Sequence, residues 1–168
     1  MILECSVVVV NFNSGPDLCN CLASLGRTFA NRDWEAVVVD NASSDDSLDL
    51  LHPNPMIRIH QNTSNVGFAA AVNQALSLIS SQNVLLINPD CEVKQGAVAR
   101  LEQELMEHPE CALVGPCVID PDGTVQGSAR GDPDMLTGLF GRSTLLMRLF
   151  PSSVLAKRNV RTSVANNT

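Results

Sequence analysis

The sequence lacks the features that mark disordered, repetitive or membrane-spanning proteins. Only 17% of its 168 residues are charged and 45% are hydrophobic, and we find no internal repeat or low-complexity tract. This composition excludes a disordered chain and is sufficient for a domain with a hydrophobic core. Residues 1–10 contain no basic residue, and their apolar run is too short for a signal peptide or a membrane span. We therefore expect a cytoplasmic protein.

Cysteine pairs separated by two residues are also absent, although the chain has six cysteines. Cys5, Cys111 and Cys117 fall in apolar runs that predict strands, whereas Cys19 and Cys21 lie in a helical pattern. Zinc sites and redox motifs usually need the two-residue spacing, so we expect buried or half-buried free thiols in a reducing compartment. An alternative makes Cys19 or Cys21 a metal ligand, but no histidine–cysteine cluster supports it.

Basic residues are few, and the net charge of the chain is −7. This charge argues against nucleic acid as a partner, because binding to a phosphate backbone needs a basic surface. The charge is uneven, with a net of −11 over residues 1–128 and +4 over residues 129–168.

Strand and helix patterns alternate along most of the sequence. Continuous β-branched runs predict strands that are buried on both faces, and apolar residues at helical spacing follow them. This alternation predicts right-handed βαβ units, and hence an α/β protein with a mainly parallel sheet covered by helices on both faces. A turn at residues 120–123 predicts a late antiparallel hairpin, which would make the sheet mixed. The predicted strands are 7–10, 36–40, 56–60, 84–87 and 113–119, with helices beginning near residues 16, 45, 67 and 95.

Polar residues follow three of the buried strands directly. These segments are Asn11–Asn13, Asp40–Ser43 and Asn88–Asp90. In an open α/β sheet, ligands bind in the crevice beyond the carboxyl ends of the strands, so all three segments are candidates for one ligand site. A helix that begins after Asn65 and Gly67 could add backbone donors there.

Each of these segments also has an ordinary structural interpretation. Asp40 could be a turn residue or a helix cap, and Asn88–Asp90 could be a plain turn. Asn65 and Gly67 could simply begin a helix. The site interpretation depends on all of these segments meeting at the same edge of the sheet.

Four ordered blocks of the chain together resemble a known family. The chain resembles the family 2 glycosyltransferases of the GT-A fold, and within them the bacterial rhamnosyltransferase-like branch. The resemblance covers residues 1 to about 130 and implies a three-layer, Rossmann-like sandwich that binds a nucleotide sugar. Residues 131–168 would then be an amphipathic helix and a flexible tail, at the start of a truncated acceptor-binding part. The blocks are Val7–Asn13, Val37–Asp45, Asn65–Asn73 and Leu85–Asp90.

The resemblance assigns nucleotide-binding roles to residues in the first three blocks. It implies that Asn11 and Asn13 line the nucleoside pocket and that Asp40 accepts a hydrogen bond from the imide N–H of uracil or thymine. An ionised carboxylate suits that role because it only accepts hydrogen bonds. Asn65 and Gly67 would contact the nucleotide. Asn73, in the same block, would lie beside it.

The block that ends in Asp90 corresponds to the family's Asp-x-Asp motif. By resemblance, Asp90 binds Mg²⁺ or Mn²⁺ together with the nucleotide diphosphate, as the preference of these ions for oxygen ligands allows. This sequence departs from the motif at Asn88, which brings no charge but can contact the ribose or a phosphate. Arg130 resembles a residue near the donor phosphates or sugar, and the alternative is a solvated surface arginine.

The resemblance implies an inverting hexosyl- or rhamnosyltransferase. Such an enzyme would transfer sugar from a dTDP- or UDP-sugar to a cell-envelope or exopolysaccharide glycan acceptor, which could be lipid-linked. Its general base is normally a later acidic residue, and this chain has no Asp or Glu after Asp134. We therefore expect a truncated chain whose catalytic base is missing and which could be inactive.

Two alternative functions remain open from the sequence. One is a non-catalytic module that binds a nucleotide sugar. The other is a nucleotidyltransferase, although no lysine follows Asn13–Pro16, where that class usually has a basic phosphate loop. Apolar and basic residues in 135–150 could also mediate peripheral contact with the inner face of the membrane, or a homodimer.

Overall fold

A parallel four-stranded sheet forms the centre of the protein. The computed structural model describes residues 5–30 and 32–126. The strand order is β3-β2-β1-β4, and every neighbouring pair is parallel. The strands are β1 (Cys5–Asn11), β2 (Trp34–Asp40), β3 (Ile57–Gln61) and β4 (Asn83–Ile87).

Three helices accompany the sheet: α1 (Pro16–Thr28), α2 (Phe68–Leu76) and α3 (Ala97–Glu107). The sequence of α1 suits its ends, since Pro16 and Asp17 occupy the first turn and Arg27 the last. None of the helices within the described ranges has the length and hydropathy of a membrane span.

The two central strands are buried on both faces, as their β-branched runs predict. On one face, Val7 and Val9 of β1 pack in a cluster with α1 and with Val98 of α3. On the other face, Val8 and Val10 pack against the small residues of α2. Two helices therefore cover one face and one helix covers the other, which confirms the three-layer α/β architecture.

The strand register aligns the polar ends of the sheet. Asn11 at the end of β1 pairs with Asp40 at the end of β2, and Asp40 in turn pairs with Gln61 of β3. On the other side of β1, Val9 pairs with Ile87, the last residue of β4. The segments that follow β1, β2 and β4 therefore begin at one edge of the sheet.

Two predicted elements are wrong. The predicted strand 113–119 contributes only an antiparallel bridge between Ile119 and Val125, around the expected turn. Gly115 and Pro116 explain this, because glycine weakens a strand and proline cannot donate to a ladder. The helix predicted from residue 45 is a series of turns over residues 47–50.

The thiol prediction is partly wrong for a related reason. Cys5 and Cys21 are buried, and Cys19 and Cys91 are partly buried, all as free cysteines. Cys111 and Cys117 are exposed, because the segments that carry them form no buried strand.

Residue packing divides the chain into two compact units, residues 1–114 and 115–168. All seven helices and strands given above lie in the first unit. The domain boundary expected near residue 130, the helix expected in 135–150 and Arg130 lie outside the described residues. They stay predictions.

Candidate functional site

Asn11 is the fully buried centre of a hydrogen-bond network at the end of β1. The two N–H groups of its side-chain amide are shared among three acceptors: Oδ1 of Asp40 at 2.7 Å, Oγ of Ser47 at 2.9 Å and Oγ of Ser43 at 3.1 Å from the nitrogen. Its side-chain oxygen accepts a hydrogen bond from the hydroxyl of Ser14. Asn11 is therefore engaged on both ends of its amide, and it holds Asp40 in place from within the protein.

Asp40 is a nearly buried carboxylate whose two oxygens are used unequally. Asp40 is only 3% exposed, and burying an ionised carboxylate to this extent would be unfavourable without hydrogen bonds. Oδ1 accepts from Asn11 at 2.7 Å and from the hydroxyl of Ser43 at 2.6 Å, whereas Oδ2 accepts from the backbone N–H of Ser43 at 3.2 Å. Oδ2 therefore retains capacity for a further donor.

The loops after β1 and β2 are joined by side-chain contacts. The backbone N–H of Asn13 donates to Oγ of Ser43 at 2.9 Å, and Oδ1 of Asn13 accepts from the N–H of Ser44 at 2.7 Å. Asn13 and Ala42 have positive φ angles of 53° and 64°. These left-handed conformations let both loops turn sharply beside the strand ends, which leaves Asn13 exposed at the site.

Asp45 adds a second connection between the same two loops. One of its oxygens accepts from the N–H of Gly15 at 2.8 Å, and the other accepts from the hydroxyl of Ser47 at 2.6 Å. The hydrogen bond from Ser47 is the main cause that lowers the pKa of Asp45. The residues after Asp45 form turns over 47–50 instead of the helix that the sequence predicts.

Asn41 organises the other side of the site. It is 2% exposed; its side-chain nitrogen donates to Oδ1 of Asn65 at 2.9 Å, and its oxygen accepts from the N–H of Val66 at 3.0 Å. The same oxygen of Asn65 accepts from the N–H of Gly67 at 2.9 Å, at the beginning of α2. These contacts bring Asn65 and Gly67 to the end of β2, and Asn73 lies one to two turns further along α2 with an exposed side chain.

The sequence did not single out several residues of this hydrogen-bond network. Asn41, Ser43 and Ser47 belong to a polar segment after a buried strand, and that position was the only available signal. Nothing in the sequence distinguishes a serine that orients a buried carboxylate from one that faces solvent.

The segment after β4 carries the candidate metal ligand. Asn88 and Asp90 are both exposed, and Oδ1 of Asp90 lies 3.5 Å from the thiol of Cys91. The segment rests on α1, where the thiol of Cys21 points at the carbonyl oxygen of Asn88 at 3.7 Å. Burial, followed by the nearby Cys91, Asp90 and Glu92, raises the pKa of Cys21 to about 12.

Asp90 is the candidate ligand for a divalent cation at the end of β4. Among residues 5–30 and 32–126, no group of three or more His, Cys, Asp or Glu side chains is arranged to hold a metal ion. An exposed Asp90 carboxylate supplies the oxygen chemistry that Mg²⁺ or Mn²⁺ prefers. Such a donor fits an ion that takes its remaining ligands from a phosphate-bearing partner and water.

Comparisons with known proteins identify the family of this chain. Residues 6–156 match the family model described as Glycosyl transferase family 2. The chain is 28% identical over 144 residues to the N-acetylglucosaminyl-diphospho-decaprenol L-rhamnosyltransferase of Mycobacterium tuberculosis strain CDC 1551, covering 79% of this chain and 47% of that protein. The chain thus spans about half the length of this relative.

Solved structures of transferases share the fold. The mannosyltransferase PcManGT from Pyrobaculum calidifontis, in complex with GDP-Man and Mn²⁺, is 25% identical with a TM-score of 0.60, covering 73% of this chain and 37% of that one. S. aureus TarS residues 1–349 are 24% identical with a TM-score of 0.54, covering 64% of this chain and 33% of that one. These likenesses confirm that the described sheet and helices have the GT-A arrangement.

Proposed function

Because this chain belongs to glycosyl transferase family 2, we propose that it binds the sugar donor, a dTDP- or UDP-sugar, at the carboxyl ends of β1, β2 and β4. The observation that carries the proposal is the state of Asp40, a buried carboxylate fixed by Asn11 and Ser43 with its Oδ2 still able to accept a donor. A fixed acceptor at a strand end is suited to recognise an N–H group on a planar base.

The base preference follows from the hydrogen-bonding capacity of Asp40. Uracil and thymine carry an imide N–H that can donate to a carboxylate, whereas cytosine has an acceptor nitrogen at the same position. A carboxylate facing that nitrogen would leave two acceptors together, which is unfavourable when both are shielded from water. We therefore propose uridine or thymidine nucleotides as ligands.

The remaining candidate residues divide into two groups in this proposal. Asn11 orients Asp40 and does not contact the ligand, because it is fully buried and its amide is engaged. Asn13, Asn65, Gly67 and Asn88 are exposed around the site, where they can contact the nucleotide directly. Arg130 remains a proposed partner for the donor phosphates.

Asp90 is the proposed metal ligand. When bound, Mg²⁺ or Mn²⁺ would stabilise the negative charge on the diphosphate leaving group. Asp90 contributes one negatively charged oxygen donor, and the rest of the site contributes nucleotide contacts that hold the diphosphate near it. We therefore expect metal affinity to be weak in the free protein and to rise when a nucleoside diphosphate binds.

The wider activity is an extension of this donor site. We propose that the complete enzyme transfers a hexose or rhamnose, with inversion, to a cell-envelope or exopolysaccharide glycan. The reaction would take place at the cytoplasmic side of the membrane. Residues 135–150 are further proposed to make peripheral contact with the membrane or to form a homodimer. The rhamnosyltransferase relative supports the choice of acceptor class. We assign no residue as the general base.

The metal proposal is tested by titrating UDP into the protein calorimetrically, with Mn²⁺ or with EDTA. We expect Mn²⁺ to strengthen UDP binding at least about tenfold in the wild type and to have no such effect in Asp90→Ala. Asp33→Ala removes another exposed carboxylate, directly before β2 and so at the opposite end of that strand, and is the matched control. Uridine, which has no phosphate, should bind all three proteins equally. A full Mn²⁺ effect in Asp90→Ala would exclude Asp90 as the ligand.

A further inference from the structure

Helix α1 holds the segment after β4 at two points. The thiol of Cys21 donates to the carbonyl oxygen of Asn88 at 3.7 Å, and the hydroxyl oxygen of Ser24 accepts from the backbone N–H of Val93 at 2.9 Å. Cys21 and Ser24 are three residues apart and therefore lie on one face of α1. Residues 88–93, here called the β4 loop, are thus anchored at both ends to the same helix face.

The anchor at Ser24 is fully buried and has a defined direction. Ser24 has no exposed surface, and its hydroxyl proton is donated to the carbonyl oxygen of Cys21 at 2.7 Å. The oxygen is therefore oriented as an acceptor for the N–H of Val93. The Val93 side chain also packs against the core cluster under α1, so the end of the β4 loop is fixed by both polar and apolar contacts.

Asp90 lies between these two anchors. Its side chain is exposed, while the loop ends on either side of it are tied to buried groups. A loop of six residues with both ends held has few ways to move its middle residue. The position of the Asp90 carboxylate therefore depends on contacts that Asp90 itself does not make.

We propose that Ser24 is a positioning residue that, assisted by Cys21, aims Asp90 at the cation shared with a nucleoside diphosphate. This inference rests on the proposed donor site. Ser24 touches neither nucleotide nor metal, and it acts by holding the backbone of the β4 loop. Groups that orient a metal ligand in this way commonly change metal affinity by about 10- to 100-fold when they are removed.

The test compares Ser24→Ala with Thr28→Val. Thr28 lies one turn further along α1, and its hydroxyl donates to the carbonyl oxygen of Ser24 at 2.9 Å, a bond made within the helix. UDP affinity is measured calorimetrically with Mn²⁺ and with EDTA for each protein. We expect the Mn²⁺-dependent gain in UDP affinity to fall about tenfold in Ser24→Ala, with UDP affinity in EDTA unchanged. Thr28→Val should retain the full gain.

The outcomes separate this inference from the proposed function. If the wild type shows a gain with Mn²⁺ and Ser24→Ala keeps it, the inference fails and the donor site stands. If the wild type shows no gain, both the metal role of Asp90 and the inference fail. If the UDP affinity of Ser24→Ala also falls in EDTA, the substitution has damaged the site in general, and this result would equally contradict a positioning role.

A second measurement covers the case in which Ser24→Ala folds poorly. Cys21→Ala removes the other anchor and keeps the hydroxyl of Ser24. Hydrogen exchange followed by mass spectrometry should show faster exchange in the β4 loop of Cys21→Ala and of any folded Ser24→Ala, with peptides of β1 and β2 unchanged. Unchanged exchange in the β4 loop of Cys21→Ala, together with a full Mn²⁺ gain, would overturn the inference.

Discussion

Replacement of Asn11 by aspartate is the sharpest test of how the site is built. The side-chain nitrogen of Asn11 lies 2.7 Å from Oδ1 of Asp40 inside the protein. Asn11→Asp keeps the size of the side chain but replaces the donor with a second buried carboxylate. With both carboxyls ionised, the folded protein would then hold two like charges in contact.

The size of the effect can be worked out from this contact. Loss of a hydrogen bond to a charged group costs about 1.5–3 kcal/mol. Two unit charges about 4 Å apart repel each other by about 4 kcal/mol at an effective dielectric constant of about 20. Asn11→Ala removes the donor without adding charge. Asn11→Asp should therefore lower the free energy of unfolding several kcal/mol more than Asn11→Ala, a large share of the roughly 5–15 kcal/mol that domains have.

The penalty should depend on pH in a defined direction. Protonation of one of the two carboxyls restores a hydrogen-bond donor and removes the repulsion. Folded Asn11→Asp therefore keeps a proton at pH values where its unfolded chain has already released it. Its stability relative to Asn11→Ala should therefore fall as pH rises from about 4 to 7. Urea denaturation of both variants at several pH values measures this difference. A difference that does not vary with pH would refute the described contact between Asn11 and Asp40.

Two further predictions concern the backbone and the thiols. Gly67 has φ 85° and ψ 159°, a conformation that is almost confined to glycine, and a Cβ there would meet no atom within 4 Å. Gly67→Ala should therefore cost about 1–3 kcal/mol from backbone strain alone, and an unchanged urea midpoint would contradict this. In native protein at pH 8, iodoacetamide should modify exposed Cys111 and Cys117 long before Cys5 and Cys21, because burial raises the pKa of Cys5 to about 11 and of Cys21 to about 12. Peptide mass spectrometry measures the order, and early modification of Cys21 would contradict it.

The sequence was sufficient to predict the parallel core because the strand signal is strong there. Val7–Val10 and Val37–Val39 are β-branched runs with polar residues immediately after them, and both lie fully inside the sheet. The register that places Asn11 beside Asp40 follows from two parallel strands ending together. The edge of the sheet at which the candidate site lies could therefore be predicted.

The hydrogen bonds between side chains within the site could not be predicted from residue types. Asp45 is a residue type that commonly begins helices, yet here its oxygens accept hydrogen bonds from the N–H of Gly15 and the hydroxyl of Ser47, and no helix follows. Ser24 lies inside a helix, and its contact with Val93 is formed 69 residues away in the chain. Such contacts depend on how separate elements meet in space, which local periodicity does not record.

The central claim is that Asp40 recognises the imide N–H of the nucleotide base. Calorimetric titration of UDP and CDP in Mn²⁺ tests it directly, because the two ligands differ only in the hydrogen-bonding edge of the base. Wild-type protein should bind UDP, and likewise dTDP, at least about tenfold more tightly than CDP, since an unmatched buried acceptor costs about 1–3 kcal/mol. Asp40→Asn, whose amide can either donate or accept, should lose most of that preference. Equal affinities for UDP and CDP in the wild type, or an unchanged preference in Asp40→Asn, would contradict the account.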